Sequence, residues 1–549
     1  MAESNPYIGL TYAQAWDRLV SAWGDREALV FGGKRWSFAA AREEVNRASA
    51  RLASLGLKTG DTVAIWMPNR PEFLWYWFGA AQMGLMAVFL NTRLRQEEFV
   101  YQIAQSDARL VIVPGGGAFR DFLGELCGVC PELTRNPAGK LNAAAFPKLQ
   151  AVVSCDPLAE PLPGVLDWSA PADAALPVPP PAMDHDRPAL IAYSSGTTAL
   201  PKGAMLTHCI WRKAYDGGDR IGLSAEDGLY LCVPLFGVLG SLNGVLTFWS
   251  HGARIVLDER FDTERALNAL ANERLSAMHL LPAMIEQMTT HPRFKQFDLS
   301  RLRCGVVLSS DPDVLRAAAE RLGVRGVVTG YGLTESTGLV TRVWWTDPLE
   351  ERLQSQGRPL PDCLIRVVDP DTGQDLPPGE LGEIWIGGYS VMHGYYNKPV
   401  ETAASITADG WLKSGDAGYL LPDGRLVFKH RLKDGYKHKG FNVSTPEVES
   451  VAAKHPAVRA VAVVGVPDRL WGETGVAFVI PKPGATFDGE EFLAFMRERL
   501  AGFKVPARVY AVEAFPLTGG TEKIQKFKLR EQAIALIAGE PAAAVAAVK

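Results

Sequence analysis

No segment that would direct a protein into or across a membrane is evident in the sequence. Its 549 residues contain no stretch of about 18 unbroken apolar side chains, so we expect no membrane-spanning helix. The first residues lack a basic segment followed by an apolar run, and the last are not the peroxisomal tripeptide SKL. These features predict a cytoplasmic protein with no integral membrane segment.

Basic residues are not in excess. Lys and Arg number 57 against 61 Asp and Glu, which leaves a formal net charge of −4. A surface for nucleic acid needs a basic excess, so nucleic acid is not an expected partner. A local basic cleft for phosphate groups is still compatible with this balance.

Cysteine is also scarce. Seven cysteines are scattered over the chain, and an odd, sparse set indicates reduced thiols. Cys127 and Cys130 form a CxxC without a second pair at zinc spacing, so we predict a helix face with two small side chains there. The composition fits a monomer or a homodimer equally well.

The first part of the chain alternates between helix and strand patterns. Apolar residues recur at steps of three and four from Phe38 to Leu55, which predicts an amphipathic helix. Short apolar runs at 62–67, 87–90 and 110–113 predict buried strands between helices, and hence parallel sheets covered by helices. The proline-rich segment 155–188 is predicted to be a surface connection.

A different pattern begins near residue 360. Short strands separated by the turns DPDTG and PDG favour hairpins up to about residue 430, and helix–strand alternation then resumes. We therefore predict an α/β fold whose large N-terminal domain, 1–432, has helix-covered parallel sheets and a small β-barrel-like part. A small α+β domain is predicted at 433–549.

Residues 193–203, YSSGTTALPKG, are the most informative segment of the chain. Its backbone N–H groups and hydroxyls can surround phosphate oxygens, and Lys202 can add a positive charge. The spacing is not that of the GxxxxGK[ST] loop. Taken alone, a polar surface turn is an equally good interpretation. The candidate phosphate-binding residues that precede Lys202 are Ser194, Ser195, Gly196, Thr197 and Thr198.

This segment resembles the phosphate loop of the adenylate-forming superfamily, which includes acyl-CoA synthetases, aryl-acid ligases, peptide-synthetase adenylation domains and luciferases. Further segments match that family in the same order: YGLTE at 331–335, GWLKSGDAGY at 410–419, HRLKDGYKHKGFNVSTPEVE at 430–449 and TEKIQKFKLRE at 521–531. Because the ordered matches cover nearly the whole chain, the protein is identified as a member of that superfamily.

The resemblance assigns the nucleotide site. It implies that Tyr331 stacks on adenine beside Gly332, that Thr334 contacts the α-phosphate, and that Glu335 helps to hold Mg²⁺. A carboxylate close to phosphates is useful mainly when a hard cation lies between them. ATP and Mg²⁺ are thus the implied cofactors.

Two further nucleotide contacts follow from the later segments. Asp416 resembles the carboxylate that accepts hydrogen bonds from both ribose hydroxyls. Arg431 resembles a second contact to the ribose or the phosphates.

Lys523 resembles the lysine that bridges the substrate carboxylate and the α-phosphate during adenylation. Its positive charge would offset two approaching anions. The surrounding loop departs from the family, because Glu522 replaces a glycine and one extra residue follows Pro516. The downstream residues fit closely, so Lys523 is favoured over Lys526.

The small domain is implied to act twice, once in each half-reaction. Lys433 lies at the position of the family's hinge between the domains. After a large rotation, Lys437 and Gly440 would lie near the path of coenzyme A.

The acyl pocket is predicted from two segments. Phe236 is followed by Gly237 where the family usually has an aromatic or histidine side chain, which predicts a wider pocket or a backbone requirement for glycine. Ser309, Ser310 and Asp311 replace a common Gly-Gly-Ala and introduce polarity.

We expect an ATP-dependent ligase that forms an acyl-AMP and then an acyl-CoA from a small-molecule carboxylic acid. Loading of an acyl or aryl acid onto a carrier protein is the alternative, while an amino acid is disfavoured because no Asp follows Phe236 closely. A light-emitting oxygenase has no supporting feature. A non-catalytic binding protein is supported only by the altered loop before Lys523.

Replacement Lys523→Ala is expected nearly to abolish acyl-adenylate formation, because the charge that offsets the two anions is lost. Thioester formation from supplied acyl-AMP should be largely retained. Separate assays of the two half-reactions check this, and an equal loss of both would contradict the role assigned to Lys523.

Overall fold

The computed structural model describes residues 5–115, 120–170, 182–194, 200–309, 311–432, 435–438, 441–468, 472–500, 502–517 and 524–539. In this part of the chain, no helix combines the length and the apolar character needed to cross a membrane.

The elements up to residue 207 alternate as their sequence patterns predict, and α2 and β5 follow the predicted ranges closely. The strands are β1 (Glu27–Phe31), β2 (Lys34–Ser37), β3 (Thr62–Ile65), β4 (Met86–Phe89), β5 (Leu110–Val113), β6 (Ala151–Ser154), β7 (Val165–Asp167), β8 (Pro188–Ser194) and β9 (Lys202–Thr207). The helices are α1 (Tyr12–Trp23), α2 (Phe38–Ser54), α3 (Pro71–Gln82), α4 (Gln96–Gln105) and α5 (Phe122–Val129).

Strands β3 to β9 form a seven-stranded sheet in the order β7-β6-β5-β3-β4-β8-β9. All neighbours are parallel except β8 and β9, which form an antiparallel hairpin. The proline-rich connection contains β7, which the sequence did not reveal. Residues 165–167 pair with β6 and add an outer strand to the sheet.

The next stretch builds a second mixed sheet. The strands of this stretch are β10 (Gly228–Leu231), β11 (Arg254–Leu257), β12 (Ala277–Met278), β13 (Cys304–Val306), β14 (Gly326–Val328), β15 (Gly330–Tyr331), β16 (Thr341–Arg342) and β17 (Arg358–Pro359). Its helices are α6 (Ile210–Asp219), α7 (Val238–Gly240), α8 (Thr247–Trp249), α9 (Thr263–Asn272), α10 (Pro282–Thr289), α11 (Pro312–Glu320) and α12 (Leu349–Gln354), with a π-helix at Ser241–Leu246. The sheet order is β14-β13-β12-β10-β11-β1-β2, and β15-β16-β17 form a small antiparallel sheet.

The remaining strands form two smaller sheets. They are β18 (Cys363–Val368), β19 (Gly382–Gly388), β20 (Leu412–Leu420), β21 (Leu426–Arg431), β22 (Gly435–His438), β23 (Phe441–Ser444), β24 (Val458–Asp468), β25 (Gly472–Pro481) and β26 (Arg508–Ala511). Helices α13 (Pro399–Ser405), α14 (Thr445–Ala452), α15 (Gly489–Arg497) and α16 (Lys526–Gly539) accompany them. The sheets run β18-β19-β20-β21 and β23-β22-β25-β24, with β26 beside β25. The predicted α/β fold class is confirmed.

Internal contacts divide the chain into two compact units. The first unit comprises Met1–Arg366, Trp385–Ser414 and Leu421–Val427. The second unit comprises Val367–Ile384, Gly415–Leu420 and Phe428–Lys549. The expected domain boundary at residues 432 and 433 stays a prediction.

Helix α6 buries a lysine in the core of the first unit. Lys213 is fully buried, and its Nζ has no hydrogen-bond partner among the described residues. Burial, reinforced by the Arg342 guanidinium, lowers the pKa of Lys213 to about 7. At pH 7 this amine is therefore only partly protonated in the folded protein, whereas it is fully protonated in the unfolded chain.

Replacement Lys213→Met should remove a pH-dependent cost to stability. The pKa of Lys213 in the folded protein lies below its unfolded value of 10.5, so the unfolded chain binds more protons between these two pH values. The free energy of unfolding of the unmodified protein should therefore rise between pH 7 and about 10. The variant should be more stable at pH 7, by about 1–3 kcal/mol, and its stability should vary less with pH.

Denaturant unfolding at pH 7.5 and 9.5 measures both effects. The matched control is Lys34→Met, which removes an exposed lysine. If the free energy of unfolding changes with pH by the same amount in the unmodified protein and in Lys213→Met, Lys213 is not the source of the pH dependence.

Candidate active site

The β8–β9 hairpin brings the two described ends of the predicted phosphate loop together. Ser194 pairs with Lys202 across the hairpin, as the last residue of β8 and the first of β9. The intervening candidates Ser195, Gly196, Thr197 and Thr198 lie outside the described residues. Ser194 and Lys202 thus mark the base from which the loop starts and to which it returns.

A second segment runs antiparallel beside β9. Ala204 forms a bridge with Tyr395, the Met205 N–H donates to the Gly394 carbonyl at 2.9 Å, and the Tyr396 N–H donates to the Gly203 carbonyl at 2.8 Å. This pairing places the Tyr395 ring under Lys202, whose Nζ lies 4.4 Å from the ring centroid. The aromatic face stabilises the ammonium and limits where it can point.

The same tyrosine holds the candidate metal ligand. Its hydroxyl donates to Glu335 Oε1 at 2.9 Å, and the Met392 N–H donates to the Glu335 carbonyl at 2.8 Å. Burial, and then the Glu335 charge, raise the pKa of Tyr395, so the hydroxyl remains the donor. One side chain therefore links Lys202 and Glu335, which are 133 positions apart in the printed sequence.

Sequence reasoning missed Tyr395. It lies in the run GYYNKP, outside every segment that was singled out, and the sequence does not show which strand that run pairs with. A tyrosine near a predicted cation and a predicted carboxylate would have been a useful signal, but only the pairing with β9 reveals the proximity.

The YGLTE segment begins as β15 and continues into a 3₁₀ turn over Thr334–Ser336 that packs against β8 and β9. Tyr331 is buried. A Cβ on Gly332 would lie 2.5 Å from the Leu339 backbone nitrogen, so only glycine allows this crossing of the chain. Thr337, which ends the turn, has a φ of +57°, a costly conformation for a β-branched residue. The nucleotide segment is thus held tightly beside the hairpin.

The predicted ribose contacts come together in the second unit. Asp416 lies on β20 and Arg431 ends β21, and the Arg431 Nε lies 3.6 Å from the Asp416 Oδ1. The Asp416 side chain is nearly buried, whereas that of Arg431 is 44% exposed. A carboxylate oxygen can accept hydrogen bonds from hydroxyl groups, which fits the contact to the ribose that the resemblance implies.

The hinge and coenzyme A assignments lie largely beyond the described part of the chain. Lys433, Gly440, Lys523 and the side chain of Lys437 are outside the described residues, so their roles stay predictions. Lys526, the rival of Lys523, donates to Thr445 Oγ1 at 2.9 Å and pairs with Glu449 at 2.8 Å. The preference for Lys523 over Lys526 stays a prediction.

The structure excludes one of the two interpretations of Gly237, and the wider pocket stays a prediction. Its φ is −93° and its ψ is 146°, which any residue adopts, and a Cβ there would meet only the Pro234 carbonyl, at 3.5 Å. The backbone does not require glycine here. The missing side chain next to the half-buried Phe236 leaves space instead.

Gly237 begins the irregular helix formed by α7, the π-helix and α8. Asn243 on the π-helix donates to the Gly338 carbonyl at 3.4 Å, which joins this helix to the turn after YGLTE. His279 Nε2 lies 3.0 Å from the Asn243 carbonyl, and burial lowers the pKa of His279 to about 4. The histidine beneath the helix is therefore uncharged at neutral pH.

The serine segment uses its polarity locally. The Ser309 hydroxyl accepts from the Asp311 N–H at 3.0 Å, and Asp311 caps α11 by accepting from the Asp313 N–H at 2.9 Å. Ser310 lies outside the described residues. The carboxylate of Asp311 thus stabilises a helix N-terminus.

Comparison with known proteins identifies the family of the chain. Residues 16–396 match the family described as AMP-binding enzyme, and residues 447–521 match the AMP-binding enzyme C-terminal domain. The chain belongs to the AMP-binding, adenylate-forming superfamily. The predicted family is confirmed.

Named relatives span several uses of this fold. The chain is 32% identical to the mitochondrial medium-chain acyl-CoA ligase ACSF2 of Mus musculus over 96% of this chain and 88% of that protein. It resembles the anthranilate CoA ligase AuaEII in complex with anthranoyl-AMP, with a TM-score of 0.81, 25% identity and coverage of 96% and 98%. It also resembles the amide bond synthetase McbA of Marinactinospora thermotolerans, with a TM-score of 0.79, 27% identity and coverage of 95% and 99%.

Replacement Gly237→His should narrow the range of accepted acids toward smaller ones. The backbone tolerates the change, so the imidazole should occupy pocket space without unfolding the protein. Steady-state rates over acids of increasing size measure this. The control Gly128→His adds the same side chain at an exposed position of α5. An unchanged size profile in Gly237→His would contradict the pocket assignment.

Proposed function

We propose that the protein is an ATP-dependent carboxylic acid–CoA ligase, which forms an acyl-AMP and then an acyl-CoA thioester. The observation that carries the proposal is the link from Lys202 through Tyr395 to Glu335 at the loop end of the β8–β9 hairpin. It holds a cation and a carboxylate beside the strand ends from which the phosphate loop starts. A triphosphate with a bound hard cation needs both.

The described residues fit Mg²⁺ as well as ATP. Glu335 supplies carboxylate oxygens, the donors that Mg²⁺ prefers, and Tyr395 fixes the orientation of that carboxylate. When bound, Mg²⁺ would offset negative charge on the phosphates. Lys202 would contribute a second positive charge, and Thr334 a contact to the α-phosphate.

In the first half-reaction, an oxygen of the substrate carboxylate attacks the α-phosphorus of ATP, and pyrophosphate leaves. Lys523 would lie between the two anions as they approach and would stabilise the charge that gathers on the α-phosphate. Tyr331 and Gly332 would hold the adenine, and Asp416 with Arg431 the ribose. Adenylation turns a poor leaving group into a good one.

In the second half-reaction, the coenzyme A thiol attacks the acyl carbonyl and AMP leaves. Lys433 would be the hinge between the domains 1–432 and 433–549, and Lys437 and Gly440 would line the thiol's path. These roles rest on the family resemblance. A carrier protein bearing the same kind of thiol is the alternative acceptor.

The substrate class follows from the chemistry near Gly237. The absence of a side chain there favours a bulky tail, so we propose aryl, steroid-like or medium- to long-chain acids. The medium-chain and anthranilate ligases among the relatives fall within that range. The cytoplasmic location and the choice between monomer and homodimer stay predictions.

The test is pyrophosphate release with ATP and Mg²⁺ over a panel of such acids, with and without coenzyme A. Release that depends on one class of acid and turns over only with coenzyme A is expected. If release stalls after about one turnover with coenzyme A but resumes with a carrier protein or an amine, coenzyme A is not the acceptor and that other molecule is. No release with any acid would count against a ligase.

Two tyrosine variants make the test specific to the site. Tyr395→Phe keeps the ring under Lys202 but removes the hydrogen bond to Glu335, and should lower the adenylation rate by about 10-fold while raising the Mg²⁺ requirement. Tyr396→Phe removes the neighbouring hydroxyl, which faces Asp107, and should have little effect. Equal effects would show that the link to Glu335 does not matter.

A further inference from the structure

Three metal-binding side chains meet at the open end of the β8–β9 hairpin. His185 and Asp186 precede β8, and Cys209 follows β9. Their ligand atoms all lie within 4.8 Å of one another. None of the three belongs to the candidate active site, and the family segments noted above do not include them.

The spacing of these atoms suits a tetrahedral ion. His185 Nε2 lies 3.5 Å from Asp186 Oδ1, and Cys209 Sγ lies 3.2 Å from the same oxygen. Zinc bonds of about 2.0–2.3 Å arranged tetrahedrally put neighbouring ligand atoms roughly 3.4–3.6 Å apart. The two separations from Asp186 Oδ1 are therefore close to those of a tetrahedral site.

A second observation points to a ligand role for His185. Its other ring nitrogen, Nδ1, lies 3.0 Å from Asp184 Oδ1. Histidines that bind metals usually donate the remaining ring N–H to a carboxylate, which orients the ring and strengthens its basicity. Here that pairing aims Nε2 at the side where Asp186 and Cys209 lie.

We propose that His185, Asp186 and Cys209 bind Zn²⁺, with solvent as the fourth ligand. A thiolate and an imidazole favour zinc over Mg²⁺ or Ca²⁺, which prefer oxygen donors. The side chains are partly exposed, at 37% for His185 and 74% for Asp186, so the ion can arrive from solvent.

His208, next to Cys209, is not a ligand. Its Nδ1 accepts a hydrogen bond from the Tyr12 N–H at 3.1 Å, so the neutral ring carries its proton on Nε2. Binding a metal through Nε2 would require an imidazolate. His208 instead anchors the start of α1 to the same end of the hairpin.

The bound ion would clip the hairpin at its base. It would tie the chain that enters β8 to the chain that leaves β9 and continues into α6. Ser194, the last described residue before the phosphate loop, lies at the other end of the seven-residue β8, about 20 Å away. The site is therefore structural in position, and its test is independent of the proposed ligase activity.

The test is metal binding by the purified full-length chain after removal of metals by chelation. Zn²⁺ titration against a chromophoric chelator should show one equivalent bound, and Co²⁺ should give a thiolate-to-cobalt charge-transfer band. Cys209→Ser should abolish the band and weaken Zn²⁺ binding by at least about 100-fold, and Asp184→Asn should weaken it by about 10-fold.

Matched controls keep the test decisive. Cys127→Ser removes another partly exposed thiol, and His291→Ala removes another partly exposed imidazole; neither should change binding. If Cys209→Ser does not fold, alkylation of the native chain gives the answer, because Zn²⁺ should protect Cys209 but not Cys127. Absence of stoichiometric binding, a cobalt band that survives Cys209→Ser, or no protection of Cys209 would overturn the proposal.

Discussion

The candidate active site depends on one contact, in which the Tyr395 ring supports the Lys202 ammonium while its hydroxyl binds Glu335. Without it, Lys202 and Glu335, which are far apart in the sequence, would not be held by the same side chain. The contact exists because residues 393–396 pair with β9 through backbone hydrogen bonds. Backbone pairing is far less sensitive to side-chain identity than a contact between two flexible charges, so the geometry is set before any ligand arrives.

The elements that the sequence predicted are those with local signals. Helix α2 shows its apolar period, and β5 is a compact apolar run with loops on both sides, so both emerge in the predicted places. Residues such as Tyr331 and Asp416 were found because they lie in segments with a family pattern. For them, the structure adds burial and partners to roles that the pattern had already implied.

What could not be predicted depends on pairing between distant segments. Strand β7 forms only because β6 offers an edge, and Tyr395 is near Lys202 only because its segment lies along β9. The ion pair between Lys526 and Glu449 is likewise not visible in the sequence. Gly237 shows the opposite limit, since a glycine in a sequence does not reveal whether the backbone or the pocket requires it.

The segment that carries Tyr395 has a consequence unrelated to chemistry. Strand β9 is the last strand of its sheet, and an uncovered last strand exposes unpaired N–H and C=O groups that can recruit another chain. Hydrogen bonds from Met205 and to Gly203 are already taken by residues 394 and 396. Residues 393–396, which orient the charged side chains, therefore also prevent β9 from pairing with another chain. Weakening their pairing with β9 would favour aggregation as well as loss of activity.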